Sequence, residues 1–284
     1  MTDVVDPSVA ERSEAEALFS FETEAPEAVR TALGMSAARI GGGVVLSMRE
    51  DVTHYWSKAL GFGVTAPVTA ESIGEVCAFY RAQRTPQATF QIAPAFLPKE
   101  WAEVCEREGI VPASSWVKLA CPTDEAVARA DALGMSPARI QVAPVEADRA
   151  AEWGSVMMRA FGMPVERYAE MGAATATRPG WHPFAAWLDG EIVGTGTLHV
   201  HGGTAQMFAG AVLPHARKRG GQTALLAARA RVAQELGCRL LIAETGAESG
   251  AGTAGTHNSS LHNMLRLGFQ VAYERRNWSW QPRR

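Results

Sequence analysis

The 284-residue sequence lacks the features that mark several classes of protein. It has only four cysteines, and no two of them are spaced as CxxC: Cys77, Cys105, Cys121 and Cys238. This pattern excludes the usual disulfide frameworks and zinc sites, and it favours reduced, mostly buried thiols in a cytoplasmic protein. No apolar run approaches the ~18 residues of a membrane-spanning helix. The acidic N-terminal segment has no apolar centre, so we do not expect a signal peptide.

A basic excess is also missing. The chain has 27 Lys and Arg against 30 Asp and Glu, a formal charge of −3. General nucleic-acid binding usually requires a basic surface, so neither nucleic acid nor a membrane is an expected partner. Hydrophobic residues make up 47% of the chain, which is enough for a packed core. The length allows one large domain or two of medium size.

Two pairs of similar segments indicate an internal repeat. Residues 32–40 read ALGMSAARI and residues 132–140 read ALGMSPARI, so eight of nine positions agree. A weaker similarity relates a strand, helix and strand over 90–120 to the same elements over 240–280. Because the pairs occur in the same order, they predict two copies of one fold.

The repeat and the punctuation of the chain suggest the domain boundaries. Pro122 ends a strand and Thr123 is a good N-cap for the helix that follows. Alternating β-prone runs and amphipathic helices predict a mixed α/β fold with one dominant sheet in the C-terminal half. The predicted organisation is a flexible acidic tail, or alternatively a short helix, over 1–20, an N-terminal domain over 21–122, a linker helix over 123–136 and a C-terminal domain over 137–284.

The sharpest local pattern joins a strand over 204–213 to a helix over 221–236 through a basic, glycine-containing turn. The backbone N–H groups at the start of a helix are unpaired, and the helix dipole adds positive charge there. Such a turn can hold a phosphate or pyrophosphate. The spacing is neither a Walker loop nor GxGxxG. The alternative is an ordinary solvated basic turn before a helix.

The segment VLPHARKRGGQTALL resembles the acetyl-CoA motif of the GNAT acyltransferase superfamily, [RQ]-x-x-G-x-[GA]. Arg217 and Gly220 match its first fixed positions, whereas Gln222 stands where the family has Gly or Ala. HNSSLHNMLRLGF resembles the next motif of the family. The resemblance covers 137–284 well and 21–122 only as a degenerate copy. It implies two tandem GNAT-like domains, each a mixed, largely antiparallel twisted sheet flanked by helices.

The resemblance also implies acetyl-CoA as a co-substrate, without a metal. The strand at 208–213 should splay from the strand at 239–244, so that the pantetheine arm enters the gap and the pyrophosphate lies on the amides of 217–222. The implied cofactor-binding residues are Ala211, Val212, Leu213, Arg217, Lys218, Arg219, Gly220, Gly221, Gln222, Thr223, Asn258, Ser260 and Asn263.

For chemistry, the resemblance implies a backbone amide near Ala211 or Val212 that polarises the thioester. Glu244 is a candidate base, or else a strand-end carboxylate in solvent. The tyrosine that usually protonates the leaving thiolate in the family is replaced here by Met264. Tyr273, His257 or water could protonate the thiolate instead. The thiolate could also leave unaided, because a thiol pKa lies near ~8.5. We interpret the alternating histidines at 199 and 201 as strand or pocket residues rather than metal ligands.

These observations predict a cytoplasmic N-acetyltransferase that transfers acetyl from acetyl-CoA to a primary amine of a small molecule. One alternative is a non-catalytic acyl-CoA-binding or regulatory protein, supported by the methionine at the acid position. Another is an enzyme that acetylates proteins or peptides. The paired domains predict either a monomer with an internal pseudo-dimer or a homodimer.

Overall fold

A computed structural model describes residues 5–134, 140–248 and 258–283. Contacts divide the chain into two compact units. Unit 1 comprises Met1–Lys118, Thr245–His257 and Val271–Arg284, and unit 2 comprises Leu119–Glu244 and Asn258–Gln270. Within the described ranges, no helix combines the length and the apolar character needed to cross a bilayer.

Unit 1 begins with a long helix, where the sequence predicted a loose tail or a short helix. Helix α1 spans Pro7–Thr23, with the Asp6 carboxylate accepting a hydrogen bond from the Ser8 amide at 2.8 Å. Its buried face includes Leu18 and Phe21. The expected flexible tail over 1–20 is therefore wrong for residues 7–20. The buried face also carries glutamates, which made the segment look like a solvated acidic stretch.

The remaining elements of unit 1 form a mixed sheet with helices. They are α2 (Glu27–Leu33), β1 (Met35–Ile40), β2 (Gly43–Met48), β3 (Lys58–Leu60), α3 (Ala70–Gln83), β4 (Ala88–Gln91), α4 (Trp101–Glu108) and the first part of β5 (Ile110–Pro122). Strands β1, β2 and β3 pair antiparallel, and β3 pairs parallel with β4. The core joins Val45, Tyr80, Phe90 and Trp280.

Unit 2 has its own helices and strands. They are α5 (Thr123–Ala132), β6 (Gln141–Pro144), α6 (Ala150–Phe161), α7 (Tyr168–Ala173), β7 (Trp181–Leu188), β8 (Glu191–His201), β9 (Thr204–Val212), α8 (Gly221–Glu235), β10 (Leu240–Gly246, of which the part to Glu244 lies here) and α9 (Ser259–Arg266). Strands β6 to β9 pair antiparallel, and β9 pairs parallel with β10. A turn at Asp189 and Gly190, both with positive φ, confirms the predicted hairpin.

The last strand of the chain, β11 (Gln270–Trp280), lies largely in unit 1. Residues Asn277 to Trp280 pair antiparallel with β4. The strand was predicted inside the C-terminal domain over 137–284, and its contacts place it elsewhere. The predicted domain boundaries stay a prediction. They were placed by the internal repeat, whereas the two units are defined by contacts.

The mixed, largely antiparallel α/β fold is confirmed, and the element order shows which similarity was informative. The order α1-α2-β1-β2-β3-α3-β4-α4-β5 matches α6-α7-β7-β8-β9-α8-β10-α9-β11. The weaker pair, 90–120 with 240–280, therefore joins equivalent elements. The sharper pair does not. Residues 35–40 form a strand after two helices, residues 135–139 lie outside the described residues, and β6 comes before its helices.

Unit 1 contains a buried network of charged side chains. Arg275 Nη1 donates to both carboxylate oxygens of Glu11 at 2.8 Å, and Arg275 Nη2 donates to Glu14. Lys118 also donates to Glu14, and the Tyr273 hydroxyl donates to Glu11 at 2.6 Å. Burial alone would raise the pKa of Glu14, but the charges of Arg275 and Lys118 outweigh it and hold that pKa well below its usual range.

Replacing the central arginine, Arg275→Met, should lower the free energy of unfolding by about 3–5 kcal/mol, because two carboxylates would stay buried with one lysine. Urea unfolding measures the loss. Arg276→Met, an exposed neighbour on the same strand, is the matched control and should change the free energy by less than about 0.5 kcal/mol. Equal losses in both variants would contradict the role of the network.

Candidate active site

The two parallel strands of unit 2 separate along their length. Strand β10 pairs with β9 through three residue pairs, Leu240 with Thr204, Leu241 with Ala205 and Ile242 with Gln206, and the ladder stops there. Strand β9 nevertheless continues to Val212, and β10 continues through Glu244. The β9 edge after residue 206 therefore lacks a ladder partner on β10. This agrees with the splay predicted for these strands.

A β-bulge lies in the separated part of β9. In the β8–β9 ladder Thr195 is opposite Ala211 and Thr197 is opposite Phe208, so two residues of β9 face one residue of β8. Ala209 has a φ of 52°, in the left-handed region, and its carbonyl accepts a hydrogen bond from Thr195 Oγ1 at 3.0 Å. The bulge redirects the backbone just before the predicted cofactor residues.

Backbone directions distinguish the three residues predicted to pair with pantetheine. The Leu213 amide donates to the Val193 carbonyl at 2.8 Å, so it points toward β8 and is already engaged. N–H groups of successive residues in a strand point to alternate edges. The Val212 amide and carbonyl therefore point toward the gap. Of the three residues, Val212 has the backbone orientation that suits a guest in the gap.

The turn between β9 and α8 has the geometry of an anion site. Gly220 is the N-cap of α8 with a φ of 83°, and Lys218 also has a positive φ of 62°. The first amides of the helix, those of Gly221, Gln222 and Thr223, have no carbonyl of the preceding turn to bond. Arg217 Nε donates to the Val212 carbonyl at 3.0 Å, while Arg217 and Arg219 are exposed. Positive side chains and unpaired amides thus occur together.

Gln222 explains part of the departure from the motif. Its Nε2 donates to Ser260 Oγ at 2.9 Å, and its Oε1 accepts from Asn263 Nδ2 at 2.8 Å. Asn258 is the N-cap of α9 and accepts from the amides of Ser260 and Leu261. The family usually has Gly or Ala at this position, and neither has a side chain that could make these bonds. The glutamine side chain therefore ties α8 to α9. The three polar residues predicted to contact pantetheine already have these structural partners.

The candidate base lies in unit 2, where the strands part. Glu244 Oε2 accepts a hydrogen bond from Gln206 Nε2 at 2.8 Å, and Gln206 is fully buried. Sequence reasoning missed Gln206. The signal was a polar residue inside the apolar strand TAQMFAG. The amide holds the carboxylate at a defined position beside the gap.

Of the two candidate acids the structure describes only Tyr273, which does not lie in the same unit as this carboxylate. Tyr273 lies in unit 1, where its hydroxyl donates to Glu11 and where burial and that carboxylate raise its pKa. A tyrosine held in this way is a poor proton donor. His257 lies outside the described residues. Met264, at the usual acid position, is buried and carries no transferable proton.

Aromatic side chains lie next to Gln206 on the same face of the sheet. His199 is opposite Gln206 in the β8–β9 ladder, and its ring centroid lies 4.7 Å from that of Trp181. Phe208 contacts Trp181 edge to face at 5.5 Å. Among the described residues no group of three or more His, Cys, Asp or Glu could hold a metal ion. His199 is part of this aromatic cluster, whereas His201 at the end of β8 is exposed, and their interpretation as strand or pocket residues stays a prediction.

The four cysteines are buried and free. Burial raises the pKa of Cys77 and Cys121 to about 12 and that of Cys105 to about 11. Such thiols are poor nucleophiles at neutral pH.

Removing the bridge between the helices, Gln222→Ala, should lower the free energy of unfolding by about 1–2 kcal/mol, because Ser260 and Asn263 each lose a partner. Urea unfolding measures it. Gln234→Ala, on the exposed side of the same helix, is the control and should have little effect. A Gln222→Ala variant as stable as the wild type would show that the bridge adds nothing.

Known proteins are similar to the chain in fold. No curated protein matches it. A GCN5-related N-acetyltransferase from Kribbella flavida is 16% identical, with a TM-score of 0.65 over 97% of this chain and 96% of that one. A tandem GNAT protein from the clavulanic acid biosynthesis pathway is 14% identical, with a TM-score of 0.58 over 99% and 97%. At such identities the likeness shows the fold alone.

The segment with sequence similarity to a known family lies mostly in unit 2. The profile of the acetyltransferase (GNAT) family matches residues 148–269, which include the separated strands, the glycine-capped helix and Glu244. Residues 148–269 are therefore similar in sequence to the GNAT family, and the fold of the chain is similar to that of a tandem GNAT protein.

Proposed function

We propose that the protein is an N-acetyltransferase that transfers the acetyl group of acetyl-CoA to a primary amine of a small molecule. The observation that carries the proposal is the gap between β9 and β10 beside the glycine-capped start of α8, inside a GNAT domain. At the gap the edge of β9 has no ladder partner on β10, and the helix start offers unpaired amides with positive charge.

In this proposal acetyl-CoA binds to unit 2 in two parts. Its pyrophosphate accepts hydrogen bonds from the first amides of α8, and the helix dipole and the exposed Arg217 and Arg219 add attraction. The pantetheine arm occupies the gap beside the backbone of Val212. The Arg217 side chain, already bonded to the Val212 carbonyl, links the two parts of the site.

The transfer itself requires a polarised thioester and a neutral amine. The Val212 amide, directed toward the gap, donates to the thioester oxygen and stabilises the tetrahedral oxyanion. Glu244 takes a proton from the ammonium group, directly or through water. The amine nitrogen then bonds to the carbonyl carbon, the C–S bond breaks, and the thiolate leaves. The nitrogen loses its second proton to water, and the departed thiolate takes up a proton from solvent. Since the pKa of a thiol is about 8.5, the thiolate can depart without an enzymatic acid.

The small-molecule acceptor is supported by an aromatic wall, formed by the half-buried Phe208 beside the buried Trp181 and His199, on the face of the sheet that carries Gln206 and Glu244. Aromatic walls bury the unreactive part of a ligand and leave its amine near the base. We propose that the acceptor amine carries an apolar or aromatic group that packs on this wall.

We infer that the N-terminal copy does not bind acetyl-CoA. Its β3 pairs with β4 along all three of its residues, so it offers no gap. Its equivalent of α8, helix α3, is capped by Thr69, whose hydroxyl accepts from the Ser72 amide at 3.1 Å. The Ser72 amide, which a phosphate at this helix start would need, thus already bonds the Thr69 side chain.

A non-catalytic acyl-CoA-binding protein is the second candidate, favoured by the buried Met264 at the acid position. Binding of acetyl-CoA without release of coenzyme A, across a panel of aromatic and aliphatic amines, would select it.

Acetyl-CoA should raise the melting temperature and release or absorb heat in titration calorimetry, since a ligand at 100 times its Kd stabilises a fold by about 2.7 kcal/mol. The double variant Arg217→Ala, Arg219→Ala should weaken binding roughly tenfold to a hundredfold, because two charge-assisted contacts are lost.

The control for this experiment is Arg159→Ala, Arg239→Ala, which removes the same charge from two exposed positions of unit 2. Its affinity for acetyl-CoA should stay near that of the wild type. A wild-type protein with neither a melting shift nor a heat signal would refute the cofactor assignment.

Glu244→Gln should reduce kcat for amine acetylation by about 10²–10⁴, because the amide cannot take the proton. Release of the coenzyme A thiol, followed with a thiol reagent, measures the rate. The acetyl-CoA Kd should be unchanged. Glu235→Gln, at the exposed end of α8, is the control. If Glu244→Gln turned over at the wild-type rate, Glu244 would not be the base.

A further inference from the structure

Arg229 in the middle of α8 is a buried charge without an acidic partner. It is 2% exposed, and within the part of the chain that the structure describes no carboxylate pairs with it. Burial lowers the pKa of its guanidinium to about 10, so the group still carries its charge at neutral pH. Burying a charge in this way is costly, and buried charges are usually paired. The cost calls for an explanation.

Backbone carbonyls take the place of a counter-ion. Arg229 Nε donates to the Leu225 carbonyl at 3.0 Å, within its own helix. Nη1 donates to the carbonyls of Thr197 at 3.2 Å and Phe208 at 3.3 Å. Thr197 and Phe208 are the pair that directly precedes the bulge in the β8–β9 ladder. The guanidinium therefore joins α8 to both strands where the bulge begins.

Two glycines make room for this side chain. A Cβ atom at Gly196 would lie 2.9 Å from Arg229 Cζ, and one at Gly210 would lie 3.2 Å from Arg229 Nη2. Neither glycine has the positive φ that only glycine adopts easily, so space rather than backbone conformation requires them. These glycines face one another across the bulge. The strands and the helix are thus built around the guanidinium.

We propose that Arg229 is a positioning residue for acetyl transfer, which fixes the bulge of β9 so that the Val212 amide is directed at the thioester. The proposal rests on the proposed function. Val212 lies only a few residues beyond the carbonyl of Phe208, and the backbone between them turns at Ala209. A guanidinium has several donors in a rigid plane and can hold two carbonyls at once, whereas an ammonium cannot reproduce that geometry.

The test compares Arg229→Met and Arg229→Lys in the full-length protein, with Arg231→Met on the same helix as the control for lost charge. Arg229→Met should lower kcat about a hundredfold, the effect of a displacement of about 1 Å at a reacting group. The Kd of coenzyme A, which does not need the oxyanion contact, should change less than threefold. Arg229→Lys should recover part of kcat.

Gly196→Ala is an independent variant that keeps every hydrogen-bonding group and pushes the guanidinium away from the bulge. It should reproduce the fall in kcat with coenzyme A affinity kept, and it decides the matter if Arg229→Met does not fold. Folded variants with wild-type kcat would overturn the proposal. So would losses of kcat and coenzyme A affinity in equal proportion. If the wild type itself neither binds coenzyme A nor turns over, the proposed function fails instead.

Discussion

The separation of β9 from β10 is the constraint on which the rest of the site depends. Backbone N–H and C=O groups need partners, and a strand that leaves its ladder must find them elsewhere. Three pairs hold the strands together at one end, and beyond Gln206 the ladder stops. The bulge on the opposite edge of β9 turns its backbone there, and the glycine-capped helix begins just after it. In the function proposed above, an acyl-CoA thioester supplies polar groups to the same strand edge and the same helix end.

The two units bury charge in different ways. In unit 1 Arg275 is surrounded by Glu11 and Glu14, so attraction between full charges offsets the loss of hydration. In unit 2 Arg229 meets only backbone carbonyls. A carbonyl is a weaker partner than a carboxylate, but it belongs to the backbone whose shape matters at the bulge. The network around Arg275 holds helix α1 to strands β5 and β11, and the contacts of Arg229 hold the shape of strand β9.

Gln222 illustrates how a departure from a motif can be compensated. A small residue at that position leaves the start of the helix open, whereas glutamine places an amide group there. The amide is drawn aside by Ser260 and Asn263 on α9. The backbone amides at the start of α8 are thereby left without a side-chain cap. The polar residues of α9, expected to touch pantetheine, hold the helix pair together.

The sequence alone determined the elements whose causes are local. The turn at Asp189-Gly190, the glycine cap at Gly220 and the basic turn before it follow from neighbouring residues, because hairpin turns and helix starts are decided within a few positions. Tertiary structure decided whatever joins distant residues. Glu11 and Arg275 are 264 positions apart, which hid the buried face of α1, and β11 pairs with β4. In the sequence, Arg229 is one of several arginines on a predicted helix. Only the tertiary structure shows that carbonyls of two strands bond its guanidinium and that two glycines leave space for it.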